Sequence, residues 1–161
     1  MRTVLVTLVT LLTAAALASP AAACSCITPG WTALDFLDNN DVGFTGVVLS
    51  VTEVANPPGC SATLAVTFNV TGCWKGVTES SITLFTDSDG GCCGYPFVQY
   101  QEFLVFGYTQ GDNLWSGTCS GNVPRSQADD ELALLGPASV PGECATVAVE
   151  PATWSLLKTR Y

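Results

Sequence analysis

The chain has 161 residues, no histidine, and 14 acidic against five basic side chains, for a formal net charge of −9. Such an acidic balance repels phosphate backbones and anionic headgroups, which excludes nucleic acid and anionic membranes as expected partners. Without histidine there is no Ser-His or Cys-His nucleophile pair, and the chain is not expected to be an enzyme.

Arg2 opens the chain, Val4 to Leu17 is an uncharged apolar run, and Ala21-Ala22-Ala23 supplies the small residues that a signal peptidase reads. Residues 1–23 are therefore expected to be a signal peptide, too short for a membrane span of about 20 apolar residues. Cleavage after Ala23 leaves 138 residues beginning at Cys24, enough for one domain with a real core. With Arg2 removed, four basic side chains face 14 acidic ones and the sum becomes −10. No later segment is long and apolar enough to cross a membrane. The expected location is secreted, extracellular or periplasmic, and nothing in the acidic surface calls for more than a monomer.

Trp31, Leu34 and Leu37 share a helical spacing, with Asp35 and Asp38 between them and Asn39-Asn40 as a stop. Val42 to Val54 is rich in β-branched residues, and Gly43 and Gly46 inside it mark bulges or bends. Asn56-Pro57-Pro58-Gly59 is a turn. Leu64, Val66, Phe68 and Val70 alternate with polar or small residues, so this second strand buries one face, and Trp74-Lys75-Gly76 closes it. Ser81 to Thr86 is a third strand. Glu102 to Tyr108 is apolar on both faces and therefore central, and Asn113 to Cys119 is expected to be a fifth strand.

Ser126-x-x-Asp129 has the form of a helix start, Ala128, Leu132 and Leu135 share a face, and Gly136-Pro137 stops the helix. Residues 137–150 have the character of a linker, and Trp154, Leu157 and Tyr161 form an apolar stripe in the tail. The expected fold is mainly β and disulfide-stapled: a five-stranded Greek-key barrel of the OB type with two short flanking helices, a β-sandwich being the rival.

All eight cysteines follow Ala23: Cys24, Cys26, Cys60, Cys73, Cys92, Cys93, Cys119 and Cys144. An even count in an exported chain is a disulfide framework. The pairs Cys24-Ser25-Cys26 and Cys92-Cys93 lack the spacing of zinc ligands, so no metal of the protein's own and no cofactor is expected. Asn69-Val70-Thr71 is a glycosylation sequon on the outward face of its strand. Asp87-Ser88-Asp89-Gly90 lacks the closing glutamate of a calcium loop and is expected to be a turn. Trp31, Trp74 and Trp115 are expected to be core or rim aromatics.

Cys24-Ser25-Cys26 at the predicted mature start, Cys93-Gly94-Tyr95 before the Glu102-Phe103-Leu104-Val105 strand, and Cys119 ahead of a helix form a pattern. With Phe68-Asn69-Val70 through Trp74-Lys75-Gly76, it resembles the N-terminal domain of the tissue inhibitors of metalloproteinases, the TIMP or netrin-like family. The matching stretch runs over residues 24–136, and residues 137–161 are a linker and tail beyond it.

The resemblance implies an OB-type barrel and two disulfides, Cys24–Cys93 and Cys26–Cys119. Cys60, Cys73, Cys92 and Cys144 then have three possible pairings, of which Cys73–Cys92 with Cys60–Cys144 is the expectation. In the inhibitory members, the α-amino and carbonyl groups of the first cysteine chelate the catalytic zinc of a metalloprotease. The matching atoms belong to Cys24. Ser25 would enter the pocket for the residue after the cleaved bond, and Cys26, Ile27, Thr28 and Pro29 would line the cleft. A zinc metalloprotease is thus the partner implied. Two departures are visible: the loop after Val54 is short, and Thr28 interrupts a proline-rich start. The alternatives are an extracellular netrin-like module that binds without inhibiting, or a lipoprotein acylated at Cys24 after Ala21-Ala22-Ala23.

Overall fold

The computed structural model describes Cys24, Cys26, Thr28 and residues 30–55, 62–88 and 92–144. The expected leader, the turn at Asn56-Pro57-Pro58-Gly59 and the tail 145–161 lie outside the described residues.

The first helix, α1 (Ala33–Asn39), begins at a capping box. The Thr32 hydroxyl accepts from the Asp35 amide at 3.4 Å, and the Asp35 carboxylate accepts from the Thr32 amide at 2.7 Å. The Thr32 amide and the Thr32 hydroxyl, each donating to that carboxylate at 2.7 Å, hold the Asp35 carboxyl below its ordinary range. At the other end, Lys75 Nζ donates to the carbonyls of Leu37 and Asp38 at 2.9 and 3.2 Å, satisfying orphan acceptors of the last turn.

Six strands follow: β1 (Val42–Ala55), β2 (Thr63–Lys75), β3 (Ser81–Asp87), β4 (Glu102–Gln110), β5 (Asn113–Trp115) and β6 (Val123–Pro124). The first of them pairs antiparallel with β2 along one edge and with β4 along the other. The register of β1 against β2 shifts after Gly43 and again before Gly46, so both glycines sit where the long strand bends. β2 pairs antiparallel with β3, and β4 with β5. A parallel contact between Phe85 of β3 and Trp115 of β5 closes the circuit. The result is a closed ring in the order β1-β2-β3-β5-β4, with β6 added to β4 at Phe103 and Leu104. It is one curved sheet, not the two stacked sheets of a sandwich.

Side-chain alternation fills both sides of this ring. Phe44, Val48, Val66, Phe68, Leu84, Phe103 and Val105 form the inner core, all buried. Their rings meet edge to face, Phe44 on Phe68 at 5.4 Å and Phe97 on Phe103 at 5.3 Å. Leu104 and Phe106 alternate to the other face of β4, where they pack with Ala33 and Ala128 and against Phe36, Leu37, Trp74 and Leu132. Burial on both faces is why β4 has no polar alternation. Of the tryptophans, Trp74 donates its indole N–H to Gly136 at 3.0 Å, and Trp115 lies 5.7 Å from Phe85.

Three expectations are corrected. The fifth strand ends at Trp115 rather than Cys119. Beyond it the Ser116 hydroxyl turns inward to the Phe106 carbonyl at 2.6 Å, and the chain enters a 3-10 turn over Thr118–Ser120. Ser126 does not start the second helix. It lies in a 3-10 turn, Arg125–Gln127, and α2 (Asp129–Leu135) follows Ala128, with Arg125 paired to Asp129 at 2.9 Å. Gly136, at φ +74°, ends that helix as expected. The segment after it does not behave as a linker at its start: Ser139 and Cys73 exchange backbone hydrogen bonds of 2.8 and 3.0 Å, and Cys144 is buried in the inner core. The packed domain therefore extends past Gly136 to Cys144.

Asp41 ties the α1–β1 junction to the far end of β4, accepting from the Thr109 amide at 2.6 Å. That hydrogen bond, helped by the charge of Lys75, lowers the Asp41 pKa. A carboxyl depressed in the folded state contributes stability above its ordinary value, near 3.9, and loses it as pH falls through the lowered one. Asp41 is exposed, so the effect is modest. Thermal melts between about pH 2 and 6 should therefore show a shallower acid loss for Asp41→Asn than for the parent.

Candidate functional site

Parallel pairing sends β3 and β5 out of the ring at the same end. β3 leads toward Cys92 and Cys93, and β5 toward Thr118 and Cys119. The two loops are joined there: the Thr118 amide donates to the Cys93 carbonyl at 2.8 Å, and its hydroxyl donates to the Gly94 carbonyl at 2.6 Å. Cys93 holds a left-handed backbone at φ +64°, uncommon for a residue with a Cβ and tolerated where surrounding bonds fix it. Gly94 next to it has no room for a side chain, since an added Cβ would run into the Asp87 carbonyl. The Tyr95 amide donates to the buried Thr86 hydroxyl at 2.9 Å, and burial pushes the Tyr95 phenol up.

The N-terminal segment is fastened onto this rim. Cys24 is bonded to Cys93 and Cys26 to Cys119, with Cα separations of 5.4 and 5.2 Å. These are the two pairs that the resemblance implies. They span 69 and 93 residues of sequence, so each removes roughly 4–5 kcal/mol of loop entropy from the unfolded chain. Cys26 is exposed, and Cys24 and Thr28 are half-buried. Thr28 passes the segment on to the helix, its carbonyl accepting from the Trp31 amide at 3.2 Å. Ser25, Ile27 and Pro29 lie outside the described residues.

Beside the two disulfides is a shallow cavity of about 190 Å³, bounded by Asn40, Asp87, Tyr108 and Trp115 together with Cys93 and Cys119. Its carboxylate, Asp87, accepts from the Thr63 hydroxyl at 3.4 Å. Of the Asp87-Ser88-Asp89-Gly90 turn, Asp89 and Gly90 lie outside the described residues, and no cluster of three potential metal ligands occurs among the described ones. Asn69 is exposed on β2, and the Thr71 hydroxyl of its sequon donates to Glu102 at 2.6 Å.

The remaining pairing differs from expectation. Cys73 is bonded to Cys144, at a Cα separation of 5.8 Å, not to Cys92. The reason is the Cys73–Ser139 backbone bridge, which lays residues 139–144 along the end of β2. Cys92 is itself disulfide-bonded, and Cys60 lies outside the described residues.

Asn122 carries no signal in local sequence. It is buried, and its Oδ1 accepts from the Phe106 amide at 3.0 Å while its Nδ2 donates to Ser116 Oγ at 2.8 Å and the Gly117 carbonyl at 3.1 Å. Asn122 thereby clamps β4 to the loop that carries Cys119. Nothing in spacing marks it, because its partners are split between Phe106 on β4 and the Ser116-Gly117 turn.

No protein-family model matches the chain, and no curated protein sequence matches it.

Two measurements follow from this geometry. Asn122→Ala strands the buried Phe106 amide and the half-buried Gly117 carbonyl and should cost roughly 2–4 kcal/mol, seen as a Tm lower by about 10 °C. Peptide mapping of the unreduced protein should recover Cys73 linked to Cys144; a peptide linking Cys73 to Cys92 contradicts the framework given above.

Proposed function

We propose that the chain is a secreted, TIMP-like domain of the netrin-like class, and that its Cys24–Pro29 segment inhibits a zinc metalloprotease. The observation that carries this reading is the double fastening of the N-terminal segment, through Cys24 and Cys26, to two loops on one end of the ring. The circular strand order with β3 parallel to β5 supports taking the ring as an OB-type Greek-key barrel. Three described disulfides suit an oxidising, exported setting. Among the described residues no helix is long and apolar enough to cross a membrane.

Signal-peptide removal after Ala23 would create an α-amino group on Cys24. A protease zinc leaves one position for water or substrate, and an amine nitrogen suits it at about 2.0–2.1 Å. The Cys24 carbonyl oxygen would take a neighbouring position, Ser25 would enter the adjoining subsite, and Ile27, Thr28 and Pro29 would follow the cleft. Disulfides at Cys24 and Cys26 cut the ordering cost that a loose peptide pays on binding. Thioether lipidation does not suit Cys24, because it would consume the sulfur bonded to Cys93. The second reading, a netrin-like module without inhibition, is favoured by the buried polar clamp at Asn122: fastening the rim is useful to the fold alone.

The two readings separate on one variant. The protein starting at Cys24 should inhibit members of a panel of zinc metalloproteases, and the form with one alanine before Cys24 should lose at least about a hundredfold while keeping its Tm. Equal inhibition by both forms rules out chelation by Cys24. Because a terminal amine must be unprotonated to bind metal, inhibition should also weaken as pH falls below about 7.7–8.0.

A further inference from the structure

Between α1 and α2 lies a second concavity, a cavity of about 210 Å³. Trp31, Ala33, Phe36 and Leu134 supply its apolar walls, and Asp130 and Glu131 add two carboxylates. Trp31 and Leu134 are 40% and 53% exposed, so the mouth is open. The Trp31 ring is braced at 5.3 Å against Phe36, which in turn lies 5.8 Å from the buried Phe106. One oxygen of Glu131, Oε2, is sealed from water and makes no hydrogen bond. A carboxylate in that condition is relieved by a cation brought to its accessible side.

The protein's own described cations do not serve it. Lys75 is engaged by the carbonyls of Leu37 and Asp38, and Arg125 by Asp129. Acidic residues in the first turn of α2 favour the helix dipole. The dipole does not account for an exposed indole facing them or for a sealed carboxylate oxygen.

We propose that this cavity receives an arginine side chain of a partner polypeptide. Its guanidinium would stack on Trp31 and hydrogen-bond to the Glu131 carboxylate, with Asp130 reinforcing the field. Size favours a single side chain, since pockets for drug-sized ligands run to about 300–1,000 Å³. Chemistry favours arginine over lysine, because a planar fork both stacks on an aromatic face and pairs with a carboxylate. The site goes beyond the zinc-directed reading and does not depend on it.

The test is an NMR titration of the mature protein, and in parallel of the form carrying an alanine before Cys24, with acetyl-Gly-Arg-Gly-amide. The Trp31 indole N–H and the Glu131 side chain should shift saturably and equally in both forms, so loss of zinc chelation leaves the result unchanged. Glu131→Gln and Trp31→Leu should each weaken binding about tenfold, with an unaltered Tm showing that the fold persists. Glu79→Gln, away from the cavity, should bind like the parent. Absence of shifts, or equal binding of the citrulline peptide, overturns the proposal. So does binding seen only after truncation beyond Cys144, which would make the protein's own tail the occupant.

Discussion

The parallel contact between Phe85 and Trp115 is the constraint on which the rest of the architecture depends. Antiparallel hairpins alone would leave β3 and β5 as edges and scatter their following loops. Joining these two strands in parallel closes the ring and brings Cys93 and Cys119 to one rim. Only then can the N-terminal segment be sewn down at both Cys24 and Cys26. The rim is reinforced from below by Asn122 and Ser116, whose polar groups are satisfied inside an otherwise apolar setting. Geometry at the N-terminus is thus inherited from sheet topology and not from the segment's own conformational preference.

The two sides of β4 divide the labour of the fold. Phe103 and Val105 fill the ring, while Leu104 and Phe106 give α1 and α2 a surface to cover. The helices, at seven residues each, are too short to be stable by themselves in water. They exist because that outer face of β4 must be shielded. Their side-by-side placement there also creates the groove at Trp31 and Glu131, so the proposed arginine site arises from a packing requirement.

Much of the sheet was legible in the sequence because burial there imposes a period. Leu64 to Val70 alternates, Phe103 to Phe106 is continuously apolar, and Gly43 and Gly46 flag the bends of β1. Where local pattern competed with tertiary contacts, the contacts prevailed. Asn113 to Cys119 has strand-like composition, yet hydrogen bonds from Ser116 and Thr118 turn it aside. Ser126 has the right spacing to Asp129 for a cap, but Arg125 takes that carboxylate. The pairing of Cys73 with Cys144 could not be read from spacing, because it follows from a backbone bridge at Ser139. Of the candidate segment, the anchoring of Cys24 and Cys26 came from resemblance to a family and not from periodicity. Asn122 and the Trp31–Glu131 groove were invisible because each unites residues far apart in the chain.

Scarcity of basic residues has a consequence for survival among proteases. Within residues 24–144 a trypsin-like enzyme would find only Lys75 and Arg125 to cut after. One amine is tied to helix carbonyls and the other side chain to a carboxylate. Cleavage after Lys75 would still leave the halves joined by Cys24–Cys93, Cys26–Cys119 and Cys73–Cys144, and cleavage after Arg125 would leave Cys73–Cys144 as a tether. A nicked molecule would therefore stay in one piece and keep its N-terminal segment in position.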